Sequence, residues 1–329
     1  FFRKRFQKKI QEINKLFKEE IFFEDEKILE TLKSSTNFLL VYQCKNDLNL
    51  QKQYANLVTK LSNRVFKKKL DKVKIEKYDA TSKKKIKIGF ISANLSSHSI
   101  SKTFNNWIKN INKEKFEVYC FYMGNKIDLM TKKIKKYSNF FYFNSNIKKT
   151  FKDILDNKMD IIVYFDIGMD PKTQILASLR LAYVQCCTWG HPSTSGFQNI
   201  DYFISADFLE TNKSYSYYSE KLINLPNIGT VYNKIKDLDL INNKNQDLQK
   251  KIIFFCNHSL FKFLPDNDHI FFDIHKKFKN SVFHFFEGEN QYLTNKFKAR
   301  LEKIALKDNI NFKNYFYFHK RTNYKNYLK

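Results

Sequence analysis

The stretch "KIKIGFISANLSSHSISKTFNNWIKNI" (residues 85–111) combines an apolar, β-branched run with a polar loop and an amphipathic pattern. The run at 85–93 predicts a strand, and the pattern at 101–111 predicts a helix. Strands that are apolar on both faces and alternate with helices are typical of a parallel sheet covered by helices. Further segments of this kind are "FEVYCFYMG" (116–124), "MDIIVYFDIG" (159–168), "KTQILASLR" (172–180), "AYVQCCTWG" (182–190) and "IDYFISA" (200–206).

The alternation restarts after a polar boundary. Pro226 and Gly229 precede the polar run "NKIKDLDLINNKNQDLQK" (233–250). We therefore assign residues 85–232 to one Rossmann-like α/β domain and residues 250–329 to the start of a second. Because two and a half β-α units do not complete a doubly wound domain, we expect the second domain to be truncated. The predicted segments after the boundary are "KIIFFCN", "HIFFDIHKKF", "SVFHFFEG", "NQYLTNKFKARLEKIAL" and "KNYFYFHK".

The first 84 residues are interpreted as a helical lead-in and a connector. Two apolar stripes at helical spacing mark two amphipathic helices. The lysine-rich piece "FKKKLDKVKIEKYDATSKKK" (66–85) has no such stripe and is interpreted as a solvated connector. The stripes consist of Phe6, Ile10, Ile13, Phe17 and Ile21, and of Tyr54, Leu57, Val58, Leu61 and Val65.

Length and composition favour a soluble, cytoplasmic protein with two domains. The 329 residues contain 43% hydrophobic residues, enough for one or two ordinary cores. No run of about 18 uncharged apolar residues predicts a membrane span, and the N-terminus is charged. The five cysteines form no CxxC pair, so neither a zinc site nor a disulfide framework is indicated.

The net charge of +26 raises the alternative of a nucleic-acid-binding protein. Only six of the 59 basic residues are arginines, although phosphate and base recognition favours the bidentate guanidinium group. The lysines are also spread along the whole chain. We therefore predict no specific nucleic-acid binding, and we keep that function and a non-catalytic scaffold as the two alternatives.

Three polar loops follow predicted strands, at the edge of a parallel sheet where ligands bind. The loop at 93–104 carries His98 at or near a helix start, and the loop at 166–173 carries two aspartates. The third loop is "WGHPSTSG" (189–196), whose glycines permit close backbone approach and whose hydroxyl groups suit a sugar or phosphate. A strand-end turn with a capping serine remains the alternative for it. Because no GxSxG elbow is present, a nucleophilic serine is not predicted.

Four segments resemble the catalytic region of the O-GlcNAc transferase and SPINDLY family of glycosyltransferases. The resemblance is to its bacterial, tetratricopeptide-associated members and spans roughly residues 36–329. It implies two Rossmann-like domains of a B-type glycosyltransferase fold preceded by tetratricopeptide helices. The segments are "KIKIGFISANLSSHS", "YFDIGMDPKTQILASLRLAYVQCCTWGHPSTSGFQNIDYFISADFLE", "YSEKLINLPNIGTVY" and "FFCNHSLFKFLPDNDHIFFDI".

The resemblance also implies roles for single residues. His98 matches the motif histidine of the first catalytic loop, at the sugar and acceptor end of the family's site. Lys262 matches the lysine that neutralises the nucleotide diphosphate. From the residues alone, His98 would be a cap-loop histidine and Lys262 a solvated lysine. The residues that match the family's glycine-rich substrate-binding loop are Gly190, His191, Thr194, Ser195 and Gly196.

The implied reaction transfers a sugar, GlcNAc, from a UDP-sugar to serine or threonine hydroxyls of a protein acceptor, with inversion. The UDP-sugar is a substrate, so no cofactor is predicted. Two DxD patterns, at residues 237–239 and 266–268, match the motif of metal-dependent glycosyltransferases. The first lies in the polar connector and the second at a helix start, where aspartate is a common cap. We therefore predict no metal site.

Overall fold

The computed structural model describes residues 2–18, 24–79, 81, 84–143, 146–233 and 251–322. The chain divides into two compact units, Phe1–Asn233 and Lys234–Lys329. Each unit is described by itself. No helix among the described residues is long and apolar enough to cross a membrane.

The first unit begins with three helices: α1 (Phe2–Lys18), α2 (Asp25–Lys33) and α3 (Leu48–Leu70). Both α1 and α2 contact α3. The two predicted stripes lie on α1 and α3, where Ile10, Leu57 and Leu61 are buried. Ile13 departs from the prediction, since it is 37% exposed on α1. Ile21 lies outside the described residues.

The connector predicted from residue 66 begins later than expected. Helix α3 continues to Leu70, and Phe66 is only 1% exposed, with its ring 4.7 Å from the ring of Phe151. The basic residues around it point outward and hid its contribution to the core. The interpretation of Phe66 as part of a solvated connector is therefore wrong.

The core of the first unit is a seven-stranded sheet in the order β3-β2-β1-β4-β5-β6-β7, with all neighbouring strands parallel. The chain leaves β1 toward one side of the sheet and resumes at β4 on the other, so the strand order reverses between them. The strands are β1 (Ile86–Ser92), β2 (Phe116–Tyr122), β3 (Asn139–Tyr142), β4 (Ile161–Tyr164), β5 (Val184–Thr188), β6 (Tyr202–Ala206) and β7 (Lys221–Leu225).

Four helices connect these strands: α4 (Ser99–Asn110), α5 (Leu129–Lys135), α6 (Ile147–Asn157) and α7 (Pro171–Ala177). Helices α4 and α5 bury Phe104, Ile108 and Ile134 in a cluster on one face of the sheet. Helices α6 and α7 contribute to the larger cluster on the other face, which α1 to α3 also join. Both faces are thus covered by helices, as the apolar strands predicted.

Cys186 and Cys187 follow each other on β5 and belong to the clusters on opposite faces of the sheet. Both are buried. Because successive residues of a strand face opposite sides of the sheet, both cysteines serve as packing residues.

The second unit has a three-stranded parallel sheet in the order β10-β9-β8. One face packs against helices through Phe272, Phe283 and Phe297. On the other face, Ile253 and Phe255 are 44% and 50% exposed. The elements are β8 (Ile252–Cys256), α8 (His269–Lys277), β9 (Ser281–Phe286), α9 (Gln291–Lys307), α10 (Phe312–Tyr315) and β10 (Phe316–His319).

Candidate active site at the carboxyl edge of the large sheet

His98 is the N-cap residue of α4, as its position after the first strand predicted. Its Nδ1 accepts a hydrogen bond from the backbone N–H of Ile100 at 3.2 Å. Because Nδ1 supplies a lone pair, the proton of the neutral ring lies on Nε2. Burial, and then the positive charge of Lys102, lower the pKa of His98. The ring is therefore neutral near pH 7 and presents an N–H donor from Nε2.

Asp166 follows β4 and is completely buried beside the end of β1. Its Oδ2 accepts hydrogen bonds from Ser92 Oγ (2.8 Å), the backbone N–H of Ala93 (3.1 Å) and Asn94 Nδ2 (2.7 Å). Its Oδ1 has no partner among the residues that the structure describes. Burial raises the pKa of Asp166 to about 7 despite these three donors.

The other end of the His98 loop is held by Asp128, the N-cap residue of α5. Its Oδ1 accepts from the backbone N–H groups of Met130 and Thr131, and its Oδ2 accepts from that of Ser97 at 2.8 Å. Thr131 Oγ1 donates to the carbonyl of Leu95. Two aspartates therefore hold the loop, Asp166 at residues 92–94 and Asp128 at Ser97.

The loop "WGHPSTSG" lies close to the start of α4. A Cβ on Gly190 would come within 1.9 Å of the Phe165 carbonyl oxygen and 2.8 Å of Ile100 Cδ1. Gly196 has a φ of +76°, and a Cβ there would come within 2.5 Å of the Gln51 backbone. These two glycines are thus required by close packing and, at Gly196, by a left-handed backbone.

Thr194 and Ser195 direct their hydroxyl groups to a buried carboxylate, Glu220. Thr194 Oγ1 donates to Glu220 Oε2 at 2.6 Å, and the backbone N–H of Ser195 donates to Oε1 at 2.8 Å. Ser195 Oγ also donates to Oε1. The structure therefore gives these hydroxyl groups an internal partner that holds the loop, and their contact with a substrate stays a prediction.

His191 is 3% exposed, and its ring lies 5.5 Å from the ring of Phe38. A Cβ on Gly168 would come within 2.7 Å of His191 Cδ2, so the loops after β4 and β5 touch here. Burial lowers the pKa of His191 to about 4. Neither ring nitrogen has a hydrogen-bond partner in the described parts of the chain. His191 is therefore a neutral core residue at pH 7.

Asp170 has the cap role that its sequence context allowed. It is the N-cap residue of α7, and its Oδ1 accepts from the backbone N–H of Lys172 at 2.8 Å. Pro171 occupies the first position of that helix. Asp170 thus explains the start of α7 without any catalytic role.

Lys262 lies in the second unit, in a short 3₁₀ turn (Leu260–Lys262) that follows β8. It is exposed, and its backbone N–H donates to the carbonyl of Ser259. The turn follows the carboxyl end of β8, the end at which parallel sheets bind ligands.

One predicted cap in this unit is wrong. Asp268 occupies the N-cap position of α8, but its side chain makes no cap hydrogen bond. Its two carboxylate oxygens instead accept from Arg300 Nε and Nη2 at 2.8 and 2.7 Å. The bidentate geometry explains why the ion pair is favoured over the cap.

No group of three or more histidine, cysteine or acidic residues with metal-binding geometry occurs among the described residues. The DxD pattern at residues 237–239 lies outside them. In the second pattern, Asp268 is occupied by Arg300 as described above.

The family model of Glycosyl transferase family 41 matches residues 35–238, more than half of the chain. The chain belongs to glycosyl transferase family 41. The resemblance to the O-GlcNAc transferase family stated from the sequence is thereby confirmed. The match includes the His98 loop, Asp166 and the loop "WGHPSTSG".

The chain is also similar to one named protein sequence and to one solved structure. Over 210 residues it is 24% identical to a protein of Arabidopsis thaliana described as a probable UDP-N-acetylglucosamine–peptide N-acetylglucosaminyltransferase SEC. That match covers 60% of this chain and 22% of the relative. The solved structure of a mutant O-GlcNAc transferase from Thermobaculum terrenum has a TM-score of 0.68 at 15% identity, covering 84% of this chain and 56% of that one. The predicted class, α/β of the B-type glycosyltransferase fold, is confirmed.

Two carboxylates that organise this candidate site, Glu220 and Asp166, are not predicted for that role from the sequence. Glu220 lies in the segment "YSEKLINLPNIGTVY", and Asp166 is one of the two aspartates of the loop at 166–173. Each is a carboxylate that accepts hydrogen bonds from residues 25 or more positions away. The signal available in the sequence was an acidic residue directly next to an apolar strand segment.

Proposed function

We propose that the complete protein is an inverting glycosyltransferase that transfers GlcNAc from UDP-GlcNAc to serine or threonine hydroxyls of proteins. The observation that carries this proposal is the family 41 match over a site in which His98 begins a helix at the strand-order reversal. The partners are a UDP-sugar donor and a protein or peptide acceptor. We propose the cytoplasm as its location, on the compositional argument given above.

On the donor side, the reaction needs a place for the negative charge that develops on the leaving diphosphate. We assign this role to Lys262, because a fixed cation stabilises that charge most in the transition state. The lysine is proposed to serve without a metal ion. A charge-assisted hydrogen bond of this kind contributes about 1.5–3 kcal/mol.

On the acceptor side, we assign His98. With Nδ1 engaged by Ile100, the ring offers Nε2–H as a donor that orients the oxygen of the incoming hydroxyl group. A base at Nε2 would need the opposite tautomer, which cannot accept the Ile100 N–H. The geometry therefore supports a positioning contact to the substrate over proton abstraction by His98.

The loop "WGHPSTSG" is proposed to shape the sugar and acceptor site through its backbone. Gly190 and Gly196 allow the loop to pack closely, and Glu220 fixes the segment that carries Thr194 and Ser195. His191 fills the space beside Gly168. The five predicted loop residues thus support the proposed site by setting the path of the chain.

The test uses UDP release by the complete protein with peptide acceptors, for the wild type, His98→Ala and His98→Asn. Asparagine can still cap α4 but has no imidazole. We expect both variants to lose about 10²-fold or more in turnover with little change in UDP affinity, and only the alanine variant to lose about 1 kcal/mol of stability.

Two results would contradict the assignment. Recovery of wild-type turnover in His98→Asn would make His98 a helix cap only. Absence of UDP release from the wild type, together with strong and salt-sensitive RNA or DNA binding, would favour the nucleic-acid alternative.

A further inference from the structure

We propose that Asp166 is the positioning residue of the His98 loop, and that it acts as a hydrogen-bond acceptor through Oδ2 and not through its charge. This inference rests on the proposed function, because His98 is the residue being positioned. Asp166 itself stays buried and touches no substrate in this account.

Three hydrogen-bond donors converge on one oxygen of Asp166. Ser92, Ala93 and Asn94 are consecutive residues at the point where β1 ends, and all three donate to Asp166 Oδ2. Two of the three donors belong to side chains and one to the backbone. A single acceptor atom therefore fixes both the direction of the chain as it leaves β1 and the rotamers of Ser92 and Asn94.

Asn94 connects this cluster to α4. The backbone N–H of Asn94 donates to Ser92 Oγ at 2.8 Å, and the carbonyl of Asn94 accepts from Ser101 Oγ at 2.7 Å. Ser101 lies in the first turn of α4 and is 1% exposed. The position of Asn94 therefore sets the position of the helix whose N-cap is His98.

Burial makes the hydrogen bonds of this network costly to break. Ser92, Ser101 and Asp166 are all at most 1% exposed, so each unmade hydrogen bond in this network leaves a buried polar group unpaired. A network of this kind has one favoured arrangement. A displacement of about 1 Å at a substrate-contacting group costs on the order of 10²-fold in rate, so small shifts of His98 are expected to be measurable.

Oδ1 has no hydrogen-bond partner in the described parts of the chain, which allows a positioning role of Asp166 to be tested separately from its charge. Both the protonated and the ionised carboxyl group offer Oδ2 as an acceptor, and so does the amide oxygen of asparagine. In Asp166→Asn the amide oxygen can take the three donors while the NH₂ group takes the place of Oδ1. Asp166→Ala removes the acceptor altogether. If Asp166 positions the loop, Asp166→Asn should preserve the loop and the activity, and Asp166→Ala should not.

The experiment compares Asp166→Ala, Asp166→Asn and Ser92→Ala with Asp170→Asn as the matched control. Asp170 lies on the same turn, and asparagine preserves its cap of α7. Amide hydrogen exchange on the chain itself reports the loop, and turnover of the complete protein reports the reaction. We expect Asp166→Ala to raise the exchange of residues 93–102 and to lower kcat ~10-fold or more at unchanged KM for UDP-GlcNAc.

For Asp166→Asn and the control we expect exchange and kcat within about threefold of the wild type. Equal loss of kcat in the alanine and asparagine variants would overturn the proposal, because charge would then be required. Unchanged exchange and kcat in Asp166→Ala would also overturn it. If Asp166→Ala does not fold, Ser92→Ala must show raised exchange and lowered kcat, or the proposal fails. Altered exchange without any transfer by the wild type would refute the proposed function but keep Asp166 as the loop anchor.

Discussion

His98 shows what a single side chain can and cannot reveal before the fold is known. The sequence placed it at a helix start, and the structure confirms that position. The tautomer follows only from the cap hydrogen bond to Ile100, which requires the local backbone geometry. The role of Asp166 is even harder to predict from the sequence, because its hydrogen-bond donors lie 72 to 74 positions earlier in the chain.

Two buried titratable residues on touching loops give opposite pH dependences of stability. Burial raises the pKa of Asp166 from 3.8 to about 7, so the folded state prefers its proton, and stability from this group is lost as pH rises from about 4 to 7. Burial lowers the pKa of His191 from 6.5 to about 4, so stability from this group is lost as pH falls from about 6.5 to 4. At about 1.4 kcal/mol per pKa unit, the two contributions are ~4 and ~3 kcal/mol and largely offset each other.

We predict that a single substitution at either residue will remove its contribution to the pH dependence of the unfolding free energy. Relative to the wild type, Asp166→Asn should gain stability as pH rises from 4 to 7, and His191→Phe should gain stability as pH falls over the same range. Denaturant unfolding at several pH values measures this, and imperfect packing of the new side chain shifts a curve without changing its slope. Parallel curves for all three proteins would show that the pKa of neither residue differs between the folded and unfolded states.

At the scale of elements, the sequence predicted those whose pattern is long and locally bounded. Strands β1, β2, β4, β5 and β6 were found, since each is an apolar run between turn residues. Strands β3 and β7 were missed. Strand β3 is an edge strand without a buried residue, and β7 is the opposite edge strand with one buried residue, Leu222, so neither carries a strong pattern.

The lysine-rich segment predicted as a connector can be tested by comparing a buried and an exposed apolar residue in it. Phe66 is 1% exposed and Val73 is 36% exposed, although both lie in the same lysine-rich stretch. We expect Phe66→Ala to lower the free energy of unfolding by about 3–5 kcal/mol, and Val73→Ala to change it by less than about 0.5 kcal/mol. Denaturant midpoints at constant slope measure both. Equally small losses of unfolding free energy in both variants would show that Phe66 belongs to a solvated connector after all.

For the whole molecule, the order of the elements was more informative than their composition. The alternation of strands and helices predicted two parallel sheets, and the structure has them. The net charge of +26 pointed to a different class of protein, because charge follows overall composition and does not fix a fold. The domain limits at residues 84, 232 and 250 stay predictions.

The proposed sugar transfer is tested by the mass of an acceptor peptide after incubation with UDP-GlcNAc and the complete protein. We predict addition of one N-acetylhexosamine at a serine or threonine. With Lys262→Ala we expect transfer about 10²-fold or more slower, together with weaker UDP binding and an unchanged thermal unfolding temperature. No transfer by the wild type to any protein or peptide acceptor, or equal rates and UDP affinity in wild type and variant, would contradict the account.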